Sequence, residues 1–142
     1  MDPVDTVALV DDDEIFRFLT EKIIKLTHLA KQVKFFCNGE EAINFLKANS
    51  DKPQLLPDLI LLDLNMPVMN GWQFIGEFKK IKHRLGKKIP IFVASSSTLR
   101  NDIDKIKNIS EVSDYIAKPI TAGKFKEMVT LLQKNQDKED CK

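Results

Sequence analysis

Five short apolar runs recur along the chain. They are rich in Val, Ile, Leu and Phe and occupy residues 6–10, 32–36, 58–62, 89–94 and 114–117. Within each run the hydrophobic residues are nearly continuous instead of alternating with polar ones. This pattern is typical of parallel strands that are covered by helices on both faces. The runs therefore predict five strands of a buried parallel sheet.

The segments between these runs carry a helical period. Apolar residues recur there at steps of three and four, which places them on one face of a helix. We expect each set to form the buried face of one helix, so that a strand followed by a helix occurs five times. The sets are Phe16, Leu19, Ile23 and Leu26; Ala42, Ile43 and Leu46; Ile75, Phe78 and Ile81; Leu99, Ile103 and Ile106; and Phe125, Met128, Val129 and Leu132.

Strict alternation of strands and helices favours an α/β fold with right-handed crossovers. Five such units predict a doubly wound, five-stranded parallel sheet, that is, a flavodoxin-like (βα)5 sandwich of three layers. A closed eight-unit barrel would need far more chain. We expect the domain to span residues 1–134, with a loop at 49–57, and to be followed by a polar C-terminal tail at 135–142.

Composition narrows the possible functions. The 22 Lys and Arg residues nearly balance the 21 Asp and Glu residues, so the net charge of +1 provides no field for steering nucleic acid. No apolar run approaches the roughly 20 residues of a membrane span, and the N-terminus lacks the features of a signal peptide. We therefore expect a cytoplasmic protein without nucleic-acid or membrane partners. Cys37 and Cys141 have no metal-ligand or redox spacing and are expected to be free thiols.

Side chains with carboxylate, hydroxyl or ammonium groups lie at or just after the ends of the predicted strands. Asp11 and Asp12 come after the first strand, Asp63 after the third, Ser95 at the end of the fourth and Lys118 after the fifth. In an open parallel sheet, ligands bind beyond the carboxyl ends of the strands, near the point where the strand order reverses. We therefore expect carboxylates, a hydroxyl and an ammonium group to converge at one site.

The acidic residues predict a divalent metal. If the first and third strands are neighbours, Asp11, Asp12 and Asp63 crowd together and repel one another unless one is protonated or a cation binds. Mg²⁺ prefers oxygen ligands and retains some of its waters. The three carboxylates, with the backbone carbonyl of Asn65, would supply such ligands.

A carboxylate can also attack a phosphoryl group to form an acyl phosphate, provided that its negative charge is screened. Besides the metal, Lys118 could pair with one phosphoryl oxygen as a point charge. The Ser95 hydroxyl could donate a hydrogen bond to another. The pattern therefore predicts that Asp63 is a phosphoacceptor.

These motifs closely resemble the receiver domains of two-component response regulators. The resemblance extends from about Thr6 to Gln133. It rests on four motifs in the right order: Leu9-Val10-Asp11-Asp12, the segment from Leu62 to Gly71, Ser95-Ser96, and Tyr115-Ile116-Ala117-Lys118-Pro119.

The resemblance implies a non-enzymatic signalling switch, a single-domain receiver of the CheY-like kind. Asp63 would receive a phosphoryl group from a histidine kinase or a histidine phosphotransfer protein, with Asp11 and Asp12 at the Mg²⁺. Ser95 and Tyr115 would then move inward. This movement would change the partner-binding face formed by the fourth helix, the fifth strand and the fifth helix, roughly between residues 99 and 132. The protein would be a monomer or a phosphorylation-dependent dimer, and the Lys118–Pro119 peptide bond would be cis.

Other functions fit parts of the pattern. A Mg²⁺-dependent phosphatase of the haloacid-dehalogenase type also forms an aspartyl phosphate, but it carries a second Asp two residues later, where this chain has Asn65. A pseudo-receiver adaptor should lack the acidic pair, the acceptor or the lysine, and this chain has all of them. A flavin-binding protein would need a phosphate loop where Asp11–Asp13 would repel phosphate. For a receiver domain, two roles stay open. One is an adaptor that binds a target protein, and the other is a relay intermediate that passes its phosphoryl group to a second histidine protein.

Several residues near the motifs have simpler interpretations. Asp13 is expected to cap the first helix, and Asn70 suits a turn before Gly71. Ser96 and Ser97 resemble a cap for the fourth helix. Trp72 is expected to pack on the third helix.

Overall fold

The structure is a computed structural model that describes residues 2–96 and 100–140, with the side chains of 135–140 outside the description. It contains the five predicted strands, all paired in parallel in one sheet. They are β1 (Val4–Val10), β2 (Ala30–Phe36), β3 (Leu59–Leu62), β4 (Ile91–Ser95) and β5 (Val112–Ala117). The strand order β2-β1-β3-β4-β5 makes β1 and β3 neighbours. The doubly wound prediction is therefore confirmed.

Five helices alternate with the strands. They are α1 (Glu14–Thr27), α2 (Gly39–Ala48), α3 (Gly71–Ile81), α4 (Arg100–Lys107) and α5 (Ala122–Asp140), and short 3₁₀ turns lie at Pro53–Leu55 and Lys82–Arg84. Because the backbone of α5 continues as helix to Asp140, the predicted boundary at residue 134 does not coincide with a helix end. A polar C-terminal tail at 135–142 stays a prediction. Within the described residues, no helix has both the length and the apolarity of a membrane span.

Two hydrophobic cores lie on opposite faces of the sheet. Alternate residues of β1 show the division, since Val10 belongs to the first core and Leu9 to the second. The first core includes Leu46 from α2 and Phe78 from α3, and the second includes Phe125 from α5. The predicted buried faces of α2, α3 and α5 are confirmed. In α4, Ile106 is buried, whereas Leu99 lies outside the described residues.

The buried face predicted for α1 is right for Phe16, which packs against the second core, but wrong for Leu19 and Leu26. Leu19 and Leu26 are 53% and 76% exposed, whereas Thr20 and Ile24 are buried. Apolar side chains extend well beyond one face of this helix, so two different stripes satisfied the helical period. Only one stripe can pack on the sheet, and α1 therefore presents an apolar surface formed by Ile15, Phe18, Leu19 and Leu26.

Candidate functional site

The pairing of β1 with β3 brings the predicted acidic residues together. Val10 is the partner of Leu62, and the Asp63 amide donates a 2.9 Å hydrogen bond to the Val10 carbonyl. Asp11 and Asp63 are buried, whereas Asp12 is exposed. One carboxylate oxygen from each of these three residues lies within 4.8 Å of the others. The predicted crowding of charge at this edge of the sheet is therefore confirmed.

The start of α1 orients Asp11. Asp13 is the N-cap of the helix, and its side chain accepts hydrogen bonds from the amides of Ile15 and Phe16. The Asp13 amide in turn donates to Asp11 Oδ1 at 2.9 Å. The capping role predicted for Asp13 is thus confirmed. Because this turn occupies Oδ1, Oδ2 of Asp11 is left to interact within the pocket.

Lys118 supplies the positive charge of the pocket. Its Nζ lies 2.8 Å from Asp11 Oδ2 and 3.6 Å from Asp63 Oδ1, so one ammonium group interacts with both buried carboxylates. The Lys118 amide donates to the carbonyl oxygen of Ser95 at 3.0 Å, which ties its loop to β4. The Lys118–Pro119 peptide bond is cis, as the resemblance implied.

Negative charge remains in excess at Asp63. Burial, followed by repulsion from Asp11, raises the pKa of the Asp63 carboxyl to about 6. Lys118 and the amides of Leu64 and Asn65 act in the opposite direction without cancelling this effect. An all-oxygen cluster with uncompensated charge is the donor set that a hard divalent cation prefers. Asp11, Asp12 and Asp63 therefore fit a Mg²⁺ ion.

The predicted switch residues lie on neighbouring strands. Ser95 is buried at the end of β4. Val93 pairs with Leu62, so Ser95 lies close to Asp63 along this edge of the sheet. The hydroxyl of Tyr115 on β5 donates a 3.3 Å hydrogen bond to the Ser95 carbonyl. The two residues are thus directly connected in the structure.

The loop from β3 to α3 holds Asp63 from the other side. The Gly71 amide donates to the Leu64 carbonyl at 2.9 Å. A Cβ at Gly71 would lie 2.4 Å from the Asp63 carbonyl oxygen, so only glycine allows this approach. Asn70 begins α3 with a capping box to Gln73. The sequence indicated a turn at Asn70 but gave no sign that Gly71 lies against the acceptor.

Two further contacts with Lys118 and its loop had no sequence signal. Nζ of Lys118 lies 4.1 Å from the centre of the Phe16 ring. On α5, Nζ of Lys124 donates to the carbonyl oxygens of Ala117 and Pro119 at 2.9 and 3.2 Å. These carbonyls flank Lys118 on both sides. Periodicity indicated only that Phe16 is an apolar helix residue, and nothing distinguished Lys124 from other surface lysines.

The remaining residues have structural or untested roles. Trp72 is half-buried and packs against the first core, as predicted. Asn65 is exposed, and a role for its carbonyl stays a prediction. Cys37 is a free thiol that accepts a hydrogen bond from Arg17 at 3.1 Å. Ser97 and Cys141 lie outside the described residues.

Solved structures with the same fold cover nearly the whole chain. A two-component response regulator from Cytophaga hutchinsonii is 32% identical, with a TM-score of 0.86 over 93% of this chain and 98% of its own. A response regulator receiver protein from Dyadobacter fermentans is 25% identical, with a TM-score of 0.78 over 90% and 97% of the two chains.

Curated relatives are often longer proteins. Two-component response regulator ARR3 of Arabidopsis thaliana is 28% identical over 91% of this chain and 56% of its own length. Sensor histidine kinase CheAY of Helicobacter pylori is 32% identical over 82% of this chain, which corresponds to 14% of that protein. The chain therefore spans only part of these relatives.

A family model described as the response regulator receiver domain matches residues 7–130. This range includes every strand end that contributes to the pocket. The chain belongs to the family of response regulator receiver domains.

Proposed function

We propose that the protein is a phosphoacceptor switch in which Asp63 receives a phosphoryl group from a phosphohistidine of a histidine kinase or phosphotransfer protein. The observation that carries the proposal is the position of Lys118, whose Nζ lies 2.8 Å from Asp11 and 3.6 Å from Asp63. An ammonium group placed beside a buried carboxylate can interact with an oxygen of the incoming phosphoryl group. This geometry favours a role for Lys118 in phosphoryl transfer over a role as a purely structural ion pair.

In the transfer step, an ionised carboxylate oxygen of Asp63 attacks the phosphorus. The new O–P bond forms as the P–N bond to the donor histidine breaks, and the electron pair of that bond returns to the imidazole nitrogen. Lys118 compensates charge on the phosphoryl oxygens, and the Ser95 hydroxyl donates a hydrogen bond to one of them. Asp63 thereby becomes an acyl phosphate, which water can later hydrolyse.

Asp11, Asp12 and Asp63, with the backbone carbonyl of Asn65, would hold Mg²⁺. When bound, this ion neutralises the excess negative charge of the carboxylates and the phosphoryl oxygens. The raised pKa of Asp63, to about 6, supports the assignment because it reflects negative charge that Lys118 alone does not offset.

The signal would leave through a surface that adjoins the pocket. The Tyr115 hydroxyl donates a hydrogen bond to the main-chain carbonyl of Ser95, so a shift of the end of β4 that carries the Ser95 hydroxyl toward the phosphoryl group would be transmitted to Tyr115. Tyr115 lies on β5, between α4 and α5, and a change there would alter the face offered to a downstream protein. The cytoplasmic location and the absence of nucleic-acid partners stay predictions.

The donor protein would approach along α1. This helix begins at Glu14, directly after the acidic residues, and its exposed apolar surface starts at Ile15. An exposed apolar stripe next to the acceptor offers a protein donor contact area that a small phosphate donor cannot use. The same stripe would therefore distinguish a protein phosphodonor from small phosphodonors.

The phosphatase alternative is less well supported. Asn65 takes the place of its acid and base, and an amide cannot transfer a proton as a carboxylate does. The deciding experiment is intact-mass measurement after incubation with acetyl phosphate, with and without Mg²⁺, beside an Asp63→Asn control. We expect a Mg²⁺-dependent gain of one phosphoryl group that is absent from the control. Phosphorylation of the Asp63→Asn variant would contradict the assignment, and steady release of phosphate from generic esters would favour the phosphatase.

A further inference from the structure

The ammonium group of Lys118 has two kinds of neighbour. On one side lie the carboxylates of Asp11 and Asp63, at 2.8 and 3.6 Å. On the other side lies the face of the Phe16 ring, whose centre is 4.1 Å from Nζ. Phe16 is itself half-buried and packs against the second core. The ring therefore forms an anchored wall of the pocket against which the cation rests.

The backbone of Lys118 is held independently of this wall. Its amide donates a hydrogen bond to the Ser95 carbonyl oxygen, and Lys124 Nζ donates to the carbonyl oxygens of Ala117 and Pro119. These hydrogen bonds fix only the backbone and do not restrain the flexible four-carbon side chain of Lys118. What determines where the ammonium points is thus the pair of carboxylates and the ring.

We propose that Phe16 is a positioning residue, which holds the Lys118 ammonium where a phosphoryl oxygen on Asp63 will meet it. This inference rests on the proposed function. A cation over an aromatic face is attracted by the ring quadrupole, and more strongly where water is excluded. The Lys118 side chain is only 17% exposed, so water competes weakly for it.

The neutral ring has a further advantage for the reaction. When a phosphoryl group arrives, the charge around Asp11 and Asp63 changes, and the ammonium must exchange carboxylate oxygens for phosphoryl oxygens. Phe16 carries no formal charge and occupies none of the three N–H donors of Lys118 as a conventional acceptor would. It can therefore keep the ammonium in place throughout the exchange.

The test compares variants of the full chain for their rate of phosphorylation by acetyl phosphate with saturating Mg²⁺, followed by intact mass. We expect Phe16→Leu to slow the reaction about five- to tenfold, because it preserves apolar character but removes the aromatic face. Phe16→Tyr, which retains the face, should restore most of the rate. Phe45→Leu is the matched control: Phe45 on α2 is half-buried against the first core, as Phe16 is against the second, and has Lys34 Nζ 4.5 Å from its ring, remote from Lys118. It should react at the wild-type rate.

A double-mutant cycle separates positioning from general packing. In a Lys118→Met background, Phe16→Leu should slow phosphorylation no further, because the group that it positions is absent. Equal slowing by Phe16→Leu in both backgrounds, or no slowing in the native background, would overturn the inference.

The four proteins of this cycle are the wild type, Phe16→Leu, Lys118→Met and the double variant. They also test the contact between Phe16 and Lys118 without any phosphorylation. In urea unfolding of the metal-free proteins, we expect the effects of Phe16→Leu and Lys118→Met to be non-additive. Additive effects would overturn this inference but would leave the proposed function standing. A wild-type chain that gained no phosphoryl group would instead contradict the proposed function, so the two failures are distinguishable.

Discussion

Gly71 lies against the backbone of Asp63. A methyl group at Gly71 would sit 2.4 Å from the Asp63 carbonyl oxygen and 2.8 Å from the Cα of Leu64. Both neighbours are backbone atoms of the segment that carries the acceptor, so they cannot rotate away as a side chain would. The position of Asp63 therefore depends on a residue eight places later in the chain.

We expect Gly71→Ala to destabilise the protein by about 2 kcal/mol, because the loop or α3 must shift to relieve the overlap. The shift would also displace Asp63 and slow phosphorylation by acetyl phosphate about tenfold or more. Gly76→Ala is the matched control, since nothing lies within 4 Å of a Cβ there. That change should stabilise α3 by about 0.5–1 kcal/mol. Urea denaturation of both variants tests the prediction, and equal behaviour would contradict it.

The raised pKa of Asp63 makes the stability of the metal-free protein dependent on pH. The native pKa of about 6 exceeds the ordinary value of 3.8, so the folded state binds more protons than the unfolded chain between these values. The stability contribution of Asp63 therefore falls as the pH rises from about 4 to 6. We expect Asp63→Asn to increase the free energy of unfolding by about 2 to 3 kcal/mol at pH 7.

This gain should shrink as the pH is lowered toward 4, where the native carboxyl is protonated in the wild type. Mg²⁺ at pH 7 should also narrow the difference, because it stabilises the ionised cluster. Urea unfolding at several pH values, with and without Mg²⁺, measures both effects. A difference that did not change with pH would contradict the electrostatic origin.

Removing Lys118 leaves Asp11 and Asp63 without their cation. We expect Lys118→Ala to destabilise the metal-free protein by about 3 kcal/mol at pH 7, since it strands buried negative charge. Mg²⁺ binding should persist, because the carboxylate ligands remain, and saturating Mg²⁺ should recover much of the lost stability. Calorimetric titration with Mg²⁺ and thermal unfolding check these outcomes. Loss of Mg²⁺ binding would place Lys118 in a different role.

Val68 stores backbone strain in the loop that follows the acceptor. Its φ of 68° is unfavourable for a β-branched residue. The residue is 73% exposed, so little burial would be lost by truncating its side chain. We expect Val68→Gly to stabilise the fold by about 1 kcal/mol, the strain relieved being larger than the entropy cost of glycine. Val68→Ala keeps the unfavourable φ and should show little gain, as measured by thermal unfolding.

The exposed apolar surface of α1 should affect the rate of phosphorylation only when the phosphodonor is a protein. We expect Leu19→Ser to slow transfer from a phosphorylated histidine protein about tenfold, because an apolar contact at the docking surface is lost. Phosphorylation by acetyl phosphate should be unchanged. Leu55→Ser is the control, since Leu55 is another exposed leucine, in the short turn before β3. Equal loss with both donors would place Leu19 in the pocket rather than in docking.

Much of this molecule follows from local sequence. Continuous apolar runs indicated the strands, and helical periods indicated the buried faces of α2, α3 and α5, because burial selects side chains at the period of each element. Strict alternation then implied a parallel sheet whose carboxyl ends share one edge. That topology alone was enough to expect Asp11, Asp63, Ser95 and Lys118 at one site.

The tertiary structure decided what depends on the placement of whole elements. The apolar pattern of α1 fits two faces, and only its docking on the sheet buries Thr20 and Ile24 and leaves Leu19 exposed. Likewise, the pairing of Lys118 with Asp11 and its contact with Phe16 join residues about a hundred positions apart. Periodicity constrains neighbours within one element, whereas distances of a few ångströms between elements are set by the packing of the complete fold.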